Sequence, residues 1–529
     1  MATLEPKVQA DPPRVTAGAP RTSRTYGALL VGTFVIAVSG LVYELIAGTL
    51  SSYLLGDSVY QFSIVIGLFM TAMGLGSYLS RCIGDRLEQA FVGTQIALGL
   101  IGGLAALALF FAFVYLDSYE AFLFLICIAI GTLVGLEIPL IIRILKRQRT
   151  LEINISNILT VDYIGALVAA LLFPLVLVPQ LGLIATGFLF GTLNLLVAGL
   201  AAWLFRHVID RRLLWLTAAA TALLITGLLS SQWLVRTIET RLYHDEIIYA
   251  ETTPYQRIVA THQNGHLRLF LNGALQFDSV DEHRYHEALV HPAMSLAGRP
   301  DAVLVLGGGD GMAVREVLRH DDVESVTLVD LDPAMTRLFR EHPRLNQLNE
   351  GALDDPRVEV INEDAFEFLK TDDATYNVIL IDLPDPKNPS LSKLYSLAFY
   401  TAAARRLARD GVLVTQATSP VYAREAFWSI FSTLDATNDP YRAGETLSAV
   451  PYHAYVPSFG DWGFVAASPA RLDWSRIQLP ADLRFLTDDT LPSLTNFPPD
   501  IDRLPVEINT LQDHPLLRYY QQGWSRWFP

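Results

Sequence analysis

The sequence predicts two structural classes in one chain: an N-terminal all-α bundle of about seven transmembrane helices, then a small antiparallel β-domain and an α/β domain. Three observations predict this division. Apolar residues make up 51% of the 529 residues, which is high for a soluble protein. Acidic residues outnumber basic ones by 41 to 25 after residue 240, but number 13 against 14 before it. Beyond residue 245, strand-like and helix-like segments alternate.

Seven apolar runs in the first half have about the ~20 residues that a helix needs to cross a bilayer. About two dozen polar and basic residues precede the first run, with no small-residue cleavage pattern, so we expect an anchor and not a removable signal peptide. The predicted partner of this half is the lipid bilayer. The runs lie near residues 27–50, 60–79, 91–116, 121–142, 158–179, 181–205 and 214–233, within a helical domain of residues 26–235 that follows a disordered basic tail of residues 1–25.

Three acidic residues, Glu44, Glu137 and Asp162, lie inside these apolar runs. Ionisable groups at membrane depth are expensive and usually face a partner, a cavity or the interior of a helix bundle. Two interpretations stay open: a pocket that binds a cation, or hydrogen-bonded carboxyl groups that fix helix packing. Small residues in TAMGLGSYLS and LGLIGGLAALAL predict close helix packing.

The second half begins with alternating apolar and polar residues, broken by QNGH and LNGA, which predicts antiparallel hairpins over residues 245–282. Over residues 283–529, strands rich in Val, Ile and Leu alternate with helical segments. This pattern is typical of a parallel sheet covered on both faces, as in a Rossmann-like domain. Ligands of such sheets bind at the carboxyl ends of the strands.

Carboxylates recur at four consecutive strand ends. The glycine turn GGGDG carries Asp310, the next strand ends at Asp330, the third is followed by Asp364, and the fourth ends in DLPDP with Asp382 and Asp385. The spacing from the turn to Asp330 suits hydrogen bonds to ribose hydroxyls. Acidic residues at strand ends are also common helix caps, and this alternative stays open for each of them taken alone.

Asp310 is unusual, because a glycine turn before a helix favours anions such as phosphate or carboxylate. Intact S-adenosylmethionine has an α-carboxylate, which Asp310 would repel. A decarboxylated donor has a cationic amine in its place, which Asp310 would attract. The turn therefore predicts a donor that binds as a cation. The net charge of −15 gives no basis for a nucleic-acid partner.

Together these motifs resemble the spermidine synthase family over most of residues 250–465, through GGGDG, VDLD, EDAFEFL, DLPDP and DEHRYHEALVHP. The resemblance implies transfer of an aminopropyl group from decarboxylated S-adenosylmethionine to putrescine or a related amine, giving spermidine and methylthioadenosine. It implies no cofactor beyond this co-substrate and no metal. Members of the family commonly dimerise, so a homodimer is one oligomeric state to consider. SGLVYELI and GLGSYLS also resemble the multi-pass segments fused to some bacterial members.

The resemblance assigns a role to each matching position. Asp382 would take the proton from the attacking amine, with Tyr285 positioning it. The donor would be bound by Gln256, His286, Gly307, Gly309, Asp310, Asp330, Asp364 and Ala365, and the acceptor by Asp385 and Gln416.

One segment departs from the family pattern. Where soluble members have a tyrosine in a longer loop, this chain has VPSFGDWGF, with Phe459 in place of the hydroxyl. Asp461 is a candidate to contact the amine there, with a turn-capping role as the alternative. The natural amine acceptor is therefore left open by the sequence.

Two other functions compete with aminopropyl transfer. A methyltransferase would share the fold and the ribose-binding acid, but Asp310 and the paired acids of DLPDP argue against it. A membrane polyamine sensor or transporter would only bind ligand, and the retained base Asp382 favours an enzyme.

The loop charges predict the membrane topology. Basic residues precede the first run and follow the second, fourth and sixth, which places the N-terminus in the cytoplasm of a cell membrane. Seven crossings would then place residues 234–529 outside the cytoplasm, whereas an intracellular donor favours a cytosolic site. The alternatives are an exterior active site or a seventh run that is interfacial or re-entrant.

Overall fold

The computed structural model describes residues 21–55, 58–84, 86–116, 118–146, 151–243 and 245–527. The chain divides into two compact units, Met1–Ser52 with Val59–Glu239 and Tyr53–Ser58 with Thr240–Pro529. The tail predicted for residues 1–25 lies outside the described residues as far as residue 20. From Arg21 onward the chain is helical, so the first helix begins before the end of the predicted tail.

The first unit is built from long apolar helices. Six helical stretches of the described chain are long and apolar enough to cross a membrane, and one of them, Glu152–Leu204, has 53 residues. The helices are α1 (Arg21–Leu55), α2 (Ser58–Leu79), α3 (Leu87–Tyr115), α4 (Tyr119–Leu145), α5 (Leu151–Leu172), α6 (Val178–Leu204), α7 (Arg211–Leu229) and α8 (Ser231–Tyr243).

The stretch of 53 residues combines the fifth and sixth predicted runs, because a π-helical turn, Phe173–Leu177, joins α5 to α6. The helical geometry breaks at Gly182, where φ is 75°. A Cβ atom at Gly165 of α5 would lie 2.8 Å from Ala37, and one at Gly32 would lie 3.2 Å from Val197 of α6. A straight helix would separate residues 165 and 197 by roughly 48 Å, yet both pack within one short segment of α1. The stretch therefore reverses direction as a helical hairpin.

Close packing of α3 on α6 depends on glycine. A Cβ atom at Gly191 of α6 would lie 2.6 Å from the carbonyl oxygen of Gly99 and 2.7 Å from Cα of Gly103, both on α3. Buried polar side chains lie in the same bundle. Gln95 donates to Glu137 at 2.6 Å, and Asn194 donates to the hydroxyl of Tyr43 at 3.0 Å. The bond from Gln95 agrees with the interpretation of Glu137 as a hydrogen-bonded packing residue.

The second unit begins with a four-stranded antiparallel sheet in the order β1-β2-β3-β4. Two hairpin turns have Asn followed by Gly with positive φ, at Asn264 and Gly265 and at Asn272 and Gly273, as the sequence pattern predicts. The strands are β1 (Glu246–Thr252), β2 (Arg257–Gln263), β3 (His266–Leu271) and β4 (Ala274–Asp278), and α9 (Glu282–Leu296) follows them.

A seven-stranded sheet forms the rest of the unit, in the order β10-β11-β9-β8-β5-β6-β7. Its five strands from β9 to β7 are parallel, and β11 pairs antiparallel with both β9 and β10. Since β5 lies between β6 and β8, the strand order reverses there, and ligands of such sheets bind at this switch point. The strands are β5 (Ala302–Gly307), β6 (Ser325–Asp330), β7 (Val358–Asn362), β8 (Tyr376–Asp382), β9 (Leu407–Gln416), β10 (Ser448–Val456) and β11 (Gly460–Ser468).

Helices cover both faces of this sheet and bury two apolar clusters, one on each side. The C-terminal helix packs against the core through Leu516, which is fully buried. These helices are α10 (Met312–Val317), α11 (Pro333–Glu341), α12 (Pro343–Leu348), α13 (Ala365–Thr371), α14 (Pro389–Ser392), α15 (Leu397–Arg406), α16 (Arg424–Asp435), α17 (Leu491–Leu494) and α18 (Pro515–Trp524).

Candidate active site

The glycine turn and the end of β8 lie side by side at the switch point. Gly307 pairs in register with Asp382, and the amide of Gly308 donates to the carbonyl oxygen of Asp382 at 3.1 Å. Gly307 has a φ of 81°, and a Cβ atom there would collide with that carbonyl oxygen. Only glycine fits this position, and the turn then delivers Asp310 to the same edge of the sheet.

Two carboxylates flank the turn. Asp310 accepts from the amide of Met312 at 2.9 Å, and Asp330 accepts from the amide of Gly309 at 3.0 Å. Burial raises the pKa of each carboxyl to about 6; for Asp310 the cationic His286 opposes this shift and the charge of Asp382 adds to it. Negative charge is therefore crowded at the turn, and a bound cation would relieve the crowding.

Helix α9 brings two side chains to the same edge. The hydroxyl of Tyr285 donates to Oδ1 of Asp382 at 2.7 Å. Burial raises the pKa of Asp382, while His286 and the bond from Tyr285 oppose that shift. Burial also lowers the pKa of His286, but Glu282 and the neighbouring acids outweigh it and raise that pKa to about 9. The imidazole is therefore protonated at neutral pH.

Glu282 holds His286 in place. Its Oε2 lies 2.8 Å from Nδ1 of His286, and Arg315 donates to both of its carboxylate oxygens at 3.2 and 3.0 Å. Neither Glu282 nor Arg315 is among the residues that the sequence predicts for the site. Glu282 had a usable signal, because it lies four residues before His286 on one face of a predicted helix.

Gln256 lies between β1 and β2 of the small sheet and contacts Asp332, the second acid of VDLD. Its side-chain amide donates to Oδ2 of Asp332 at 3.1 Å, and the hydroxyl of Thr253 donates to the same oxygen at 2.7 Å. Asp332 also caps α11 through the amide of Ala334. Asp332 therefore holds Gln256 beside the loop that follows Asp330, a role that its sequence motif does not predict.

Asp364 acts as a helix cap. Its Oδ1 accepts from the amides of Phe366 and Glu367, and its Oδ2 lies 2.9 Å from Nζ of Lys393. Burial would raise the pKa of Asp364, but Lys393 and the amides lower it overall. Ala365 is the first residue of α13 and is buried. Each carboxylate oxygen has two lone pairs, so this cap leaves room for one more donor.

Asp385 lies in a cluster of hydroxyl and amide donors. Gln416 donates to Oδ1 at 3.4 Å, Thr418 donates to Oδ2 at 3.4 Å, and Tyr520 of α18 donates to Oδ2 at 3.0 Å. Gln416 also contacts the hydroxyl of Tyr395, which donates to the carbonyl of Leu383. The predicted pair of Asp385 and Gln416 is thus brought together, and Tyr520 joins them from a segment without a recognised motif.

The departure from the family pattern lies on the hairpin of β10 and β11. The ring of Phe459 packs 6.4 Å from that of Tyr285 and 5.2 Å from that of Trp462, measured between centroids. Asp461 binds His453, with 2.8 Å between Oδ1 and Nδ1. Asp461 is therefore engaged by a neighbour on its own hairpin.

Comparison with known proteins agrees with these features. A model of the spermine/spermidine synthase domain matches residues 282–470. The polyamine aminopropyltransferase of Leptospira interrogans is 46% identical over 502 residues, which are 94% of this chain and 99% of that protein.

The chain belongs to the polyamine aminopropyltransferase family.

Further relatives support the assignment. Polyamine aminopropyltransferase 1 of Ralstonia nicotianae is 45% identical over 97% of this chain and 98% of its own. Polyamine aminopropyltransferase 1 of Streptomyces coelicolor is 42% identical over 99% of each. Because these alignments span the helical unit as well, that unit is shared with the relatives. The spermidine synthase of Thermotoga maritima matches 48% of this chain and 85% of its own at 26% identity, with a TM-score of 0.43.

Family membership confirms the resemblance that the motifs predicted. The chain is a transferase, and aminopropyl transfer takes precedence over the methyltransferase and sensor alternatives. Within the described residues, no group of three His, Cys, Asp or Glu side chains has the geometry to hold a metal ion.

Proposed function

We propose that this aminopropyltransferase moves the aminopropyl group of decarboxylated S-adenosylmethionine onto putrescine or a closely related diamine, giving spermidine and methylthioadenosine. One observation carries the proposal: Asp382, bound by Tyr285 at 2.7 Å, lies beside the glycine turn that carries Asp310. This arrangement puts a proton acceptor next to a site for a cationic donor.

The donor side of the site is assigned to the turn and its neighbours. Asp310 binds the amine of the aminopropyl group, and Asp330 binds the ribose hydroxyls. Gly307 and Gly309 let the backbone approach the donor closely. The remaining donor contacts are assigned to Gln256, His286, Asp364 and Ala365.

The reaction is a displacement at carbon. A primary amine is cationic at neutral pH, so it attacks only after losing a proton, and Asp382 is the base that takes it. The nitrogen lone pair forms a bond to the carbon next to the sulfonium while the carbon–sulfur bond breaks. Its electron pair stays on sulfur, which leaves as the neutral thioether of methylthioadenosine. Holding the two substrates in line supplies much of the acceleration.

The acceptor side is assigned to Asp385 and Gln416. A diamine keeps a second ammonium at its far end, and a carboxylate is the natural partner for it. Tyr285 positions Asp382 and does not itself transfer a proton in this scheme.

The test uses the purified full chain in detergent. Supplied with decarboxylated S-adenosylmethionine and putrescine, the protein should release methylthioadenosine and spermidine in equal amounts. Calorimetry should show tighter binding of the decarboxylated donor than of intact S-adenosylmethionine. Preference for the intact donor would overturn the donor assignment. Binding of polyamine without release of methylthioadenosine would point to a sensor instead.

We further propose that the helical unit spans a cell membrane with the N-terminus in the cytoplasm. The length and apolar character of its helices support insertion, and the basic loops support the orientation. The proposed domains are the helical unit of residues 26–235, the small β-domain of residues 245–282 and the catalytic domain of residues 283–529. A homodimer is tested by light scattering of the purified protein.

A further inference from the structure

The C-terminal helix α18 contributes a side chain to the acceptor side of the site. Tyr520 is 8% exposed, and its hydroxyl donates to Oδ2 of Asp385 at 3.0 Å. The contacts of Asp385 with Gln416 and Thr418 are longer, at 3.4 Å each. The helix lies beyond residues 282–470, the part matched by the shared synthase domain. The shortest hydrogen bond from a side chain to Asp385 therefore comes from outside that domain.

Helix α18 is held firmly enough to fix this contact. A Cβ atom at Gly523 would lie 2.6 Å from Cα of Ala423, so the helix backbone lies directly against the start of α16. The ring of Trp524 packs 5.0 Å from that of Tyr422, and Leu516 is fully buried. Tyr520 is thus held on a packed element and does not depend on a loose terminus.

No other phenol of the described chain donates to Asp385. The hydroxyl of Tyr395 donates to the carbonyl oxygens of Leu383 and Pro384. Phe459, which stands where soluble family members have a tyrosine, lacks a hydroxyl, and its ring packs near Tyr285. A tyrosine hydroxyl has one proton to donate and lone pairs to accept with. While it donates to Asp385, it can therefore accept a hydrogen bond from an ammonium group.

We propose that Tyr520 is a positioning residue for the acceptor: its hydroxyl orients the carboxylate of Asp385 and accepts a hydrogen bond from the distal ammonium of a bound diamine. This inference rests on the proposed function, in which Asp385 binds that ammonium. Burial raises the pKa of Asp385, and Lys387 together with the bond from Tyr520 opposes this shift. Loss of the hydroxyl should therefore leave Asp385 less able to hold its charge as the pH falls.

The experiment compares Tyr520→Phe with Tyr519→Phe in the full chain. Tyr519 is a matched control, because it is the adjacent residue of the same helix and its hydroxyl binds Glu507 at the surface. Tyr520→Phe should raise the KM for putrescine about tenfold, or about 1.4 kcal/mol, with donor KM and kcat within twofold of wild type. The increase should grow between pH 8 and pH 6. Tyr519→Phe should leave all three constants unchanged.

A double variant tests whether Tyr520 acts through Asp385. In an Asp385→Asn background, Tyr520→Phe should raise the putrescine KM by clearly less than tenfold, because only the direct hydrogen bond from the ammonium is still there to be lost. Effects that multiply, or an unchanged putrescine KM in active Tyr520→Phe, would overturn the inference and leave the proposed function standing. A parallel rise in donor KM with a lowered melting temperature would also overturn it, since that indicates a structural role. If the wild-type chain forms no methylthioadenosine from putrescine, the proposed function itself fails.

Discussion

Asp382 has to accept a proton while surrounded by other charges. Burial raises the pKa of its carboxyl, and the protonated His286 and the hydrogen bond from Tyr285 oppose this shift by stabilising the carboxylate. Asp382→Asn keeps the shape of the side chain but cannot take the proton. We expect kcat to fall by about 10²- to 10⁴-fold, with donor affinity within twofold of wild type, measured by methylthioadenosine release and calorimetry.

Asp461→Asn is the matched control for this change. Asp461 lies on the hairpin of β10 and β11 and binds His453, so its replacement should leave kcat and the acceptor KM unchanged. A large rise in acceptor KM in that variant would instead place Asp461 at the amine. Wild-type turnover in Asp382→Asn would contradict the base assignment.

Asp310 favours ligand binding at the expense of stability. Burial raises the pKa of its carboxyl from 3.8 to about 6, so the charged form is less favourable in the folded protein than in the unfolded chain. Stability from this group is present at low pH and is lost as pH rises through about 6. At pH 8, Asp310→Asn should therefore raise the melting temperature by roughly 2–4 °C.

The same substitution should weaken donor binding by about tenfold to a hundredfold, because a charged partner of the donor amine is lost. In the wild-type protein, donor affinity should fall as pH drops below about 6 and Asp310 takes up a proton; in Asp310→Asn that dependence should be reduced. Calorimetry at pH 8 and pH 5 measures both effects. Equal donor affinity in the two proteins at pH 8 would refute the assignment.

Individual site residues differ in how far the sequence could predict them. Asp330 and Asp382 end strands of a parallel sheet, and Asp310 follows another. The carboxyl ends of such strands meet at one edge whatever the rest of the fold is. Asp332 and Tyr520 could not be found in this way. The role of Asp332 depends on the small sheet bringing Gln256 to it, and that of Tyr520 depends on where the last helix packs.

At the scale of elements, close contact between α3 and α6 predicts a strong response to a single methyl group. Gly191→Ala would place Cβ 2.6 Å from a carbonyl oxygen of the facing backbone, which cannot yield without parting the helices. We expect a loss of about 1–3 kcal/mol in stability, seen as a lower melting temperature of the full chain in detergent.

Gly74→Ala provides the comparison for that change. Gly74 lies within α2, and a Cβ atom there has nothing within 4 Å. Alanine inside a helix is otherwise more favourable than glycine by about 0.5–1 kcal/mol, so this variant should be neutral or slightly stabilised. An equal melting temperature for Gly191→Ala and Gly74→Ala would show that the α3–α6 contact is looser than a 2.6 Å approach implies.

The elements themselves were largely predictable, because their signals are local. Runs of apolar residues mark the long helices, and Asn-Gly turns mark the hairpins of the small sheet. Two features escaped prediction. The π-helical join of α5 to α6 carries Pro174, and Pro179 is the second residue of α6, although a proline inside a helix usually breaks it. Helix α18 has no sequence pattern that ties it to the sheet.

For the whole molecule, the direction of each helix decides how often the chain crosses a bilayer. Helix α5 runs parallel to α1, because Asn157 contacts Tyr26 and Gly165 contacts Ala37. Helix α6 runs antiparallel to α1, because Asn194 contacts Tyr43 and Val197 lies beside Gly32. Contacts of the same kind show that α2 runs antiparallel to α1 and α4 runs parallel to α2. They also show that α6 runs antiparallel to both α3 and α7. The seven helices α1 to α7 therefore alternate in direction along the chain, and seven is an odd number.

An odd number of crossings, with basic loops in the cytoplasm, predicts that the chain emerges on the exterior side after α7. Alkaline phosphatase, which is active only outside the cytoplasm, should therefore be active when fused after Pro529. The same reporter placed in the basic loop between α4 and α5 should be inactive, whereas a fluorescent protein there should be bright. Cytoplasmic behaviour of the C-terminal fusion would mean that one helix fails to cross. The shortest, α7, has 19 residues and would be that helix. The active site would then have direct access to an intracellular donor.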